Sequence, residues 1–509
     1  MSAAILLICG IVAVLLLVVY AYLTWNFKYW KKRGLVGPKP RLIFGNFPNA
    51  IMGNRPLVYD FDDIYRQYKS HHRAVGVFMT RNPEIVILDP ELAQEVMVTD
   101  FRKYHDNMAN KYVFNKNADK IAARNPFFTT GKQWKERRAD GVAGLTANKL
   151  NLASPIWKGI AQKLGSYLKE VTAGGTAELD AKDLSYRYTT DLMGDFLWGI
   201  ESGALLHSGQ TVPILTIGQQ MLAQTLVAVD YYYTFKLAPF IKRFLNCRFY
   251  SEKTDSFFSK LGKNAIDLRV KSSHLERADY LNHVLKLQEK KKLTHDDVMG
   301  HSITVLLNGF ETSANAMYHT LFYLAKHPQV QDKLRAEILA HLEDDGFLTF
   351  ENLNSLPYLD QCVHETLRLI TPIPTFARIC TEATTLEVEA GKRIPIEKNT
   401  ILSIPSFSFH HDPAYFPQPY EYNPERFDNG AHLEMTKRGI FLPFGGGPRI
   451  CMGMRLGLLE VKMALTAILK QYRVMESART MAEKKPDSNS FVFGLSGEIW
   501  LDFKELRLV

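Results

Sequence analysis

The stretch Phe444-Gly445-Gly446-Gly447-Pro448-Arg449-Ile450-Cys451-Met452-Gly453 holds a single cysteine in a glycine-rich loop, and a helical run follows it. Glycine lets a backbone turn tightly and pass close beneath a flat cofactor, where a Cβ would collide. A thiolate is a strong, soft ligand for iron, and free backbone N–H groups in such a loop can hydrogen-bond its sulfur. Cys451 is therefore the first candidate metal ligand. The competing interpretation is a buried structural cysteine in a turn.

The decapeptide has the form Phe-x-x-Gly-x-Arg-x-Cys-x-Gly and resembles the cytochrome P450 family of haem-thiolate monooxygenases. The resemblance implies a mainly α fold with small β-sheets. It also implies haem b as the cofactor, with the Cys451 thiolate as the axial iron ligand and Phe444 in the loop that holds it. Arg449 supplies a rigid fork of donors that suits a carboxylate, and haem carries two propionates.

Two further arginines match residues that the family uses to bind haem. Trp134 and Arg138 lie four residues apart in a predicted helix, so they share one face, and the family has Trp-x-x-x-Arg in its third helix facing a propionate. Taken alone, such a pair is more often a core anchor and a surface charge. Arg378, in an extended segment, resembles the family's propionate-binding arginine, and Thr375 and Phe376 would line the pocket.

Residues 294–326 predict one long helix, with Thr294 and Asp297 resembling a capping box at its start. Gly309 weakens the middle of this helix, and the Thr312 hydroxyl can bond back to a carbonyl and bend it, so we expect a local opening there. The plain alternative is a glycine kink with a threonine that is satisfied within the helix.

The same segment matches the family's Ala/Gly-Gly-x-Glu/Asp-Thr pattern, which implies that the opening at Gly309 gives dioxygen room beside haem. Thr312 and the neighbouring acid Glu311 would then pass protons through water to the distal oxygen. Asn308 departs from the pattern, because a small residue is usual at that position. Its amide would bond substrate or bound water, or narrow the pocket.

A structural role is expected for Glu365 and Arg368, which are three residues apart on a helix, and for Arg426 of the sequence Pro424-Glu425-Arg426-Phe427. The family buries this group, and it would hold the cysteine loop. The generic alternative is a surface ion pair. His364-Glu365 does not form a zinc motif, because no second histidine stands four positions after His364. His410-His411-Asp412-Pro413 predicts a turn rather than a metal site.

The chain begins with an uncharged run of about the length that spans a bilayer, roughly 20 residues, followed at once by Lys28, Lys31, Lys32 and Arg33. The positive-inside rule keeps this cluster cytosolic. We therefore predict a membrane anchor at residues 1–27, a basic Pro/Gly linker at 28–45, and a haem-thiolate domain at 46–509 on the cytosolic side of the endoplasmic reticulum. Within the linker, the short stiff stretch 34–40 would hinge the anchor to the domain. A cleaved signal peptide fits poorly, because no basic segment precedes the run and no small-x-small site is evident.

Composition limits the partners. The net charge of +9 over 509 residues is mild, and no basic stripe interleaved with aromatic residues is present, so nucleic acid is not expected as a partner. Five scattered cysteines, an odd number, argue against a disulfide framework and for a reducing compartment. Lys132, Lys135 and Arg137 predict a basic surface that either is a solvated helix face or docks an acidic electron donor.

Three more segments have weaker assignments. Residues 105–131 are irregular, and in a haem monooxygenase they would form the loop over the pocket. Residues 205–244 mix apolar helix with tyrosines and a basic end, which fits either a substrate roof at the bilayer surface or ordinary core. Residues 490–495 predict a final hairpin that reaches the pocket.

The resemblance implies monooxygenation driven by NADPH. NADPH-cytochrome P450 reductase, with cytochrome b5 as a possible second donor, would supply electrons, and one atom of dioxygen would enter an apolar xenobiotic or an endogenous lipid or hormone. Two rivals stay open: a haem-thiolate isomerase or dehydratase that needs no external electrons, and a non-enzymatic membrane protein that binds haem or an apolar ligand. Residues 101–106 and 131–135 resemble insect microsomal members, although Gly141-Val142-Ala143-Gly144-Leu145 departs from their usual Ser-Pro-x-Phe stretch.

Overall fold

The structure is a computed structural model that describes residues 3–111, 117–206, 212–245, 247–271, 277–482, 485–488 and 490–506. It is mainly helical, with small sheets. The helices are α1 Ala3–Thr24, α2 Tyr29–Lys32, α3 Pro48–Ile51, α4 Leu57–Tyr68, α5 Pro90–Gln94, α6 Gly131–Ala143, α7 Ala147–Leu152, α8 Ser154–Thr172, α9 Ala181–Trp198, α10 Pro213–Leu237, α11 Glu252–Lys271, α12 Tyr280–Lys291, α13 His295–Lys326, α14 Pro328–Leu339, α15 Phe350–Ser355, α16 Pro357–Leu369, α17 Ser406–His410, α18 Ala431–Lys437 and α19 Met454–Leu469. The strands are β1 Ala74–Met79, β2 Asn82–Ile87, β3 Asp106–Asn107, β4 Thr176–Asp180, β5 Phe376–Ile379, β6 Thr384–Glu389, β7 Lys392–Ile396, β8 Ile401–Ile404, β9 Tyr472–Glu476 and β10 Trp500–Glu505.

The largest described sheet has the strand order β1-β2-β8-β5-β3, in which only β2 and β8 run parallel. A three-stranded sheet, β4-β10-β9, and a two-stranded sheet, β6-β7, accompany it. The pairing of Asn107 with Arg378 fixes the loop at residues 105–131 to the edge of the largest sheet, beside the segment that carries the predicted haem-binding arginine.

Helix α1 is apolar and exposed, with a mean hydropathy of 3.1 over 18 residues, and by length and composition it can cross a membrane. The segment that follows it packs against the domain, and its role as a hinge stays a prediction. The indole of Trp30 is buried and donates a hydrogen bond of 3.0 Å to the Val77 carbonyl. A methyl group at Gly37 would lie 1.8 Å from the Gly76 carbonyl oxygen, so the segment is packed directly on β1.

Helix α13 runs through the core and is buried over most of its length. It begins as predicted, because the Thr294 side chain accepts from the Asp297 N–H and the Asp297 carboxylate accepts from the Thr294 N–H. The helix packs against α9 and α19. At the contact with α19, a methyl group on Gly457 would lie 3.5 Å from Ser313 Oγ, so α19 crosses α13 next to Thr312. This crossing brings the two strongest sequence motifs into one region.

Candidate active site

The cysteine loop is closed by hydrogen bonds within itself. The Cys451 N–H donates to the Phe444 carbonyl at 2.9 Å, directly before α19 begins. Gly445 and Gly447 have φ of +72° and +68°, in the left-handed region that favours glycine. A methyl group at Gly447 would also lie 1.9 Å from the Met97 carbonyl oxygen. The glycine at 447 is therefore required for packing the loop against the protein itself, a reason that the sequence did not indicate.

The Cys451 side chain has accessible surface although it is surrounded by protein, so this surface faces the interior. Burial raises the pKa of its thiol, whereas the Gly453 N–H, which bonds the sulfur, and the charge of Arg138 lower it. Arg138 also donates a hydrogen bond of 2.6 Å to the Ile450 carbonyl. Helix α6 thus reaches the residue next to the cysteine, and a positive charge favours the thiolate.

Arg449 is held on the same side of the loop. Its Nε donates to the His105 carbonyl, and its Nη2 lies 3.3 Å from Asp106 Oδ1. Its guanidinium carbon lies 4.1 Å from the centre of the Trp134 ring, which is buried. Trp134 therefore supports Arg449 through a cation–π contact, a relation that the spacing of Trp134 and Arg138 alone does not predict.

Three guanidinium groups come together here with little opposing charge. Among the described residues, Asp106 is the only carboxylate that forms an ion pair with Arg138, Arg378 or Arg449. Burial, followed by the neighbouring charge of Arg138, lowers the pKa of Arg378 to about 10, and burial followed by Arg378 lowers that of Arg449 to about 9. The Nε atom of Arg378 is buried without a hydrogen-bond partner. Buried cations with a free donor suit an anionic group, and the two propionates of haem would supply one.

The residues present therefore fit haem. Cys451 offers a sulfur ligand at the start of α19, and three arginines offer donors to carboxylates. Phe376 lies beside the loop, since a methyl group at Gly445 would be 3.3 Å from its ring. The predicted pocket residue Thr375 has a buried hydroxyl without a hydrogen-bond partner.

The middle of α13 lies within an unbroken helix. The helix is continuous from His295 to Lys326, and the local opening at Gly309 stays a prediction. The Thr312 hydroxyl donates to the Asn308 carbonyl, as predicted, and the Asn308 amide donates to the Thr304 carbonyl at 2.6 Å. A methyl group at Gly309 would lie 3.1 Å from the Met193 sulfur. The glycine therefore lets α13 approach α9, and its role toward a cofactor stays a prediction.

Glu311 is buried, and one of its carboxyl oxygens has no hydrogen-bond partner. Burial raises the pKa of this carboxyl to about 7, although Lys182 and the hydroxyl of Tyr186 oppose the shift. The Tyr186 hydroxyl lies 3.4 Å from Glu311 Oε1. An acid with a pKa near neutrality can both hold and release a proton under working conditions.

Glu460 is a second buried acid that sequence reasoning missed. It lies on α19, and its Oε1 would be 3.8 Å from a methyl group at Gly309. Burial raises the pKa of Glu460 to about 8, against the effect of the nearby Ser313 hydroxyl, and neither carboxyl oxygen has a hydrogen bond of ordinary geometry. The available signal was one acidic residue inside an apolar helical run, Leu458-Leu459-Glu460-Val461, on the helix that follows Cys451.

The predicted structural group is buried and bonded as expected. Arg368 Nε and Nη2 donate to the two oxygens of Glu365 at 2.7 and 2.8 Å, and both side chains are completely buried. Arg426 Nε lies 3.3 Å from Glu365 Oε1. The predicted turn after His410 is present, with His410 closing the short helix α17.

The predicted basic surface is only partly correct. Lys132 and Lys135 are exposed on α6. Arg137, in contrast, donates to Asp297 Oδ1 at 2.7 Å and joins α6 to the start of α13, so it is unavailable for a partner.

Asp360, His364 and His432 form a group of potential metal ligands away from Cys451. The two imidazoles are stacked, with ring centres 4.3 Å apart and planes inclined by 18°, so their nitrogen lone pairs cannot both point at one ion. Lys462 Nζ also lies 2.8 Å from Asp360 Oδ1. Asp360 is thus paired with Lys462 and His364, and the absence of a zinc motif at His364-Glu365 stays a prediction.

Elements predicted to cover the pocket meet near α13. A methyl group at Gly218 of α10 would lie 3.3 Å from the Phe310 ring, and the Tyr232 hydroxyl contacts the Met108 sulfur. Near the C-terminus, the predicted hairpin is reduced to one antiparallel bridge between Pro486 and Leu495, and residue 489 lies outside the described residues.

Comparisons with known proteins agree with this arrangement. The sequence model of the family described as cytochrome P450 matches residues 36–498. Probable cytochrome P450 309a2 of Drosophila melanogaster is 41% identical over 491 residues, which cover 96% of this chain and 91% of that protein. Probable cytochrome P450 309a1 of the same organism is 39% identical over 499 residues, with 98% of each chain covered. Cytochrome P450 6k1 of Blattella germanica is 28% identical over 517 residues, covering 97% of this chain and 96% of that protein.

Proposed function

This chain belongs to the cytochrome P450 family of haem-thiolate enzymes, and from that premise we propose that it is a membrane-anchored monooxygenase of apolar small molecules that takes electrons from NADPH through a reductase. The observation that carries the proposal is the surroundings of Cys451. A cysteine held at the start of a helix by a Gly453 N–H faces the interior beside three buried arginines with one opposing carboxylate.

Cys451 would hold the haem iron, and Arg138, Arg378 and Arg449 would bind the propionates, with Trp134 and Phe444 supporting the arginine and the loop. When bound, thiolate-ligated haem activates dioxygen for insertion of one oxygen atom, because the sulfur donates electron density that favours O–O cleavage. The Gly453 N–H and the charge of Arg138 favour the thiolate form of the sulfur, in opposition to burial, which raises the pKa of the thiol.

The distal side of the site would be formed by α13. Glu311 holds a proton near neutral pH, and the Thr312 hydroxyl, the next residue, can orient a water for its transfer. Since the Thr312 hydroxyl donates to the Asn308 carbonyl, its oxygen remains an acceptor for that water. Glu460, which lies behind Gly309, is a second proton store in the same region.

An apolar substrate is supported by the aromatic side chains around the site. Phe376 is half-buried and stands against the cysteine loop, beside the predicted pocket residue Thr375. The Phe493 N–H bonds the Pro372 carbonyl at 2.9 Å, which brings the C-terminal segment toward the strand that carries Arg378. An apolar lining favours the binding of hydrocarbon and offers few hydrogen bonds to a polar ligand.

Anchoring in the endoplasmic reticulum membrane is supported by α1 and by the basic cluster after it. The Tyr22 hydroxyl donates to the Leu237 carbonyl at the end of α10, so the anchor leaves the domain on the side of Phe240 and Phe244, which are 59% and 82% exposed. We take residues 1–27 as the anchor, 28–45 as a docked connection and 46–509 as the catalytic domain. Lys132 and Lys135 are the exposed cations of α6 available to an acidic reductase or cytochrome b5.

Reconstitution tests the electron source. The purified chain is mixed in vesicles with NADPH-cytochrome P450 reductase and apolar candidate substrates that shift the ferric spectrum. Oxygenated product is expected only when reductase, NADPH and dioxygen are all present. Turnover of a substrate without reductase would instead favour an isomerase or dehydratase, and the absence of bound haem would favour a non-enzymatic membrane protein.

A further inference from the structure

His410 connects two parts of the structure, the buried ion pair of Arg368 and the cysteine loop. Its side chain is completely buried at the end of α17. On one side, the Arg368 guanidinium donates to the His410 carbonyl at 2.8 Å. On the other, the Leu442 N–H donates to His410 Nε2 at 2.8 Å. Leu442 lies at the beginning of the cysteine loop, so one residue bridges the buried ion pair and the loop.

The hydrogen bonds permit a single protonation state of this imidazole. The Thr371 hydroxyl donates to the Leu367 carbonyl at 2.7 Å, so its oxygen must accept from His410 Nδ1–H, which lies 2.8 Å away. Nε2 must in turn carry a lone pair, because its partner is a backbone N–H. Only the neutral tautomer with the proton on Nδ1 satisfies both contacts.

The connection continues from Leu442 to the cysteine. The Leu442 carbonyl accepts from the Gly445 N–H at 3.2 Å, which forms the first turn of the loop. Phe444, inside that turn, accepts from the Cys451 N–H at 2.9 Å. A shift of Leu442 would therefore move the carbonyl that fixes the backbone of the cysteine.

We propose that His410 is a positioning residue for the thiolate: its Nδ1-protonated imidazole joins Thr371 to the Leu442 N–H and so fixes the cysteine loop relative to Glu365 and Arg368. The inference deepens the proposed function, because it assumes that Cys451 is the iron ligand. Burial, with the adjacent charges of His411 and Arg368, lowers the pKa of His410 well below its usual range, so the acceptor on Nε2 persists in mild acid. The other described rings that contact the His410 imidazole are uncharged, namely Phe416 and Phe441.

Two substitutions separate the two ends of the imidazole. Asparagine reaches about as far as Nδ1 and can still donate to Thr371, whereas glutamine reaches about as far as Nε2 and can accept from the Leu442 N–H. Hydrogen exchange in the peptide spanning residue 442 and the CO difference spectrum of the reduced protein are measured for His410→Asn and His410→Gln. His364→Asn is the control, because His364 is also buried but bonds Asp360 on its own helix.

We expect exchange at residue 442 to become about tenfold faster in His410→Asn, as for loss of one hydrogen bond, with a loss of thiolate-type signal. His410→Gln should recover both, and His364→Asn should change neither. If the asparagine variant fails to accumulate, Thr371→Val removes the acceptor for Nδ1–H and should weaken protection at residue 442. Unchanged exchange and spectrum in His410→Asn, or a glutamine variant no better than asparagine, would overturn the inference.

A result that contradicts the proposed function can be distinguished from one that contradicts the role of His410. A thiolate-type spectrum that survives Cys451→Ala would remove the premise, whatever the His410 variants do. If Cys451→Ala abolishes that spectrum while His410→Asn leaves it and the exchange rate intact, only the positioning role of His410 is lost.

Discussion

Arg368 binds Glu365 through two hydrogen bonds of 2.7 and 2.8 Å, and neither side chain is exposed to solvent. Both side chains also form hydrogen bonds with the backbone. Arg368 donates to the carbonyls of His410, Pro419 and Glu421, and Glu365 accepts from the Asn423 N–H. The ion pair therefore joins α16 to the chain that leads into the cysteine loop. Removing one partner would leave the other as a buried, uncompensated charge.

Replacing Glu365 by glutamine should destabilise the protein by about 3–5 kcal/mol, the usual cost of breaking a buried pair. Because the pair holds the chain before the cysteine loop, the variant should also retain less haem. Denaturant unfolding and the haem content per chain measure the two effects. The control is Glu136→Gln, whose partner Lys132 is 90% exposed, so its loss should cost less than about 1 kcal/mol. A Glu365→Gln protein as stable as the parent would contradict this account.

Replacing Thr312 by alanine should preserve the thiolate-type spectrum and uncouple electron consumption from product. The hydroxyl bonds only within α13 in the described structure, so its loss should spare the fold. If Thr312 takes part in proton transfer, its replacement should lower the ratio of product to NADPH consumed at least about tenfold. Thr304→Ala is the matched control, because the Thr304 hydroxyl makes the same bond to the carbonyl four residues earlier, about two turns away along α13. Unchanged coupling in Thr312→Ala would refute the relay.

The pH dependence of coupling should follow Glu311. With a pKa of about 7, this carboxyl is protonated in mild acid and loses its proton as the pH rises through neutrality. If it donates a proton to the reaction, coupling falls above about pH 7 in the parent, while Glu311→Gln gives a low ratio that does not respond to pH in this range. A parent-like pH profile in the glutamine variant would assign the titration to another group.

The raised pKa of Glu460 leads to a separate prediction about the pH dependence of stability. Its pKa is raised from 4.5 to about 8, so the folded state holds its proton more tightly than the unfolded state. This contribution is complete below pH 4.5 and is lost as the pH rises toward about 8. Glu460→Gln should thus gain stability relative to the parent over that interval, by at most about 5 kcal/mol. Apparent unfolding midpoints measured across the interval check the trend, and a constant difference between the two proteins would contradict it.

Sequence predicted those features that local chemistry controls. The capping box at Thr294 and the bond from Thr312 back to Asn308 follow from short-range geometry, and the structure confirms both. The motif around Cys451 identified the family, and the family implied the burial of Glu365 with Arg368. The fold class followed in the same way.

The errors concern contacts between segments far apart in the chain. Arg137 was expected on the surface and instead binds Asp297, because α6 packs against the start of α13. For Gly309 the sequence did not indicate a packing role, but its missing side chain admits Met193 from α9. A methyl group at Gly141 would lie 2.5 Å from the Met452 side chain, beside Cys451, which is another contact between distant segments. A local sequence pattern does not indicate which distant residue will lie on the other side of such a contact.

The most direct test is the CO difference spectrum of the reduced, purified protein before and after Cys451→Ala. The parent is expected to contain haem and to give the thiolate-type absorption of the family. Cys451→Ala should abolish that absorption, while Cys247→Ala, a buried cysteine outside the site, should retain it. A parent without porphyrin, or a thiolate-type spectrum that persists in Cys451→Ala, would contradict the account.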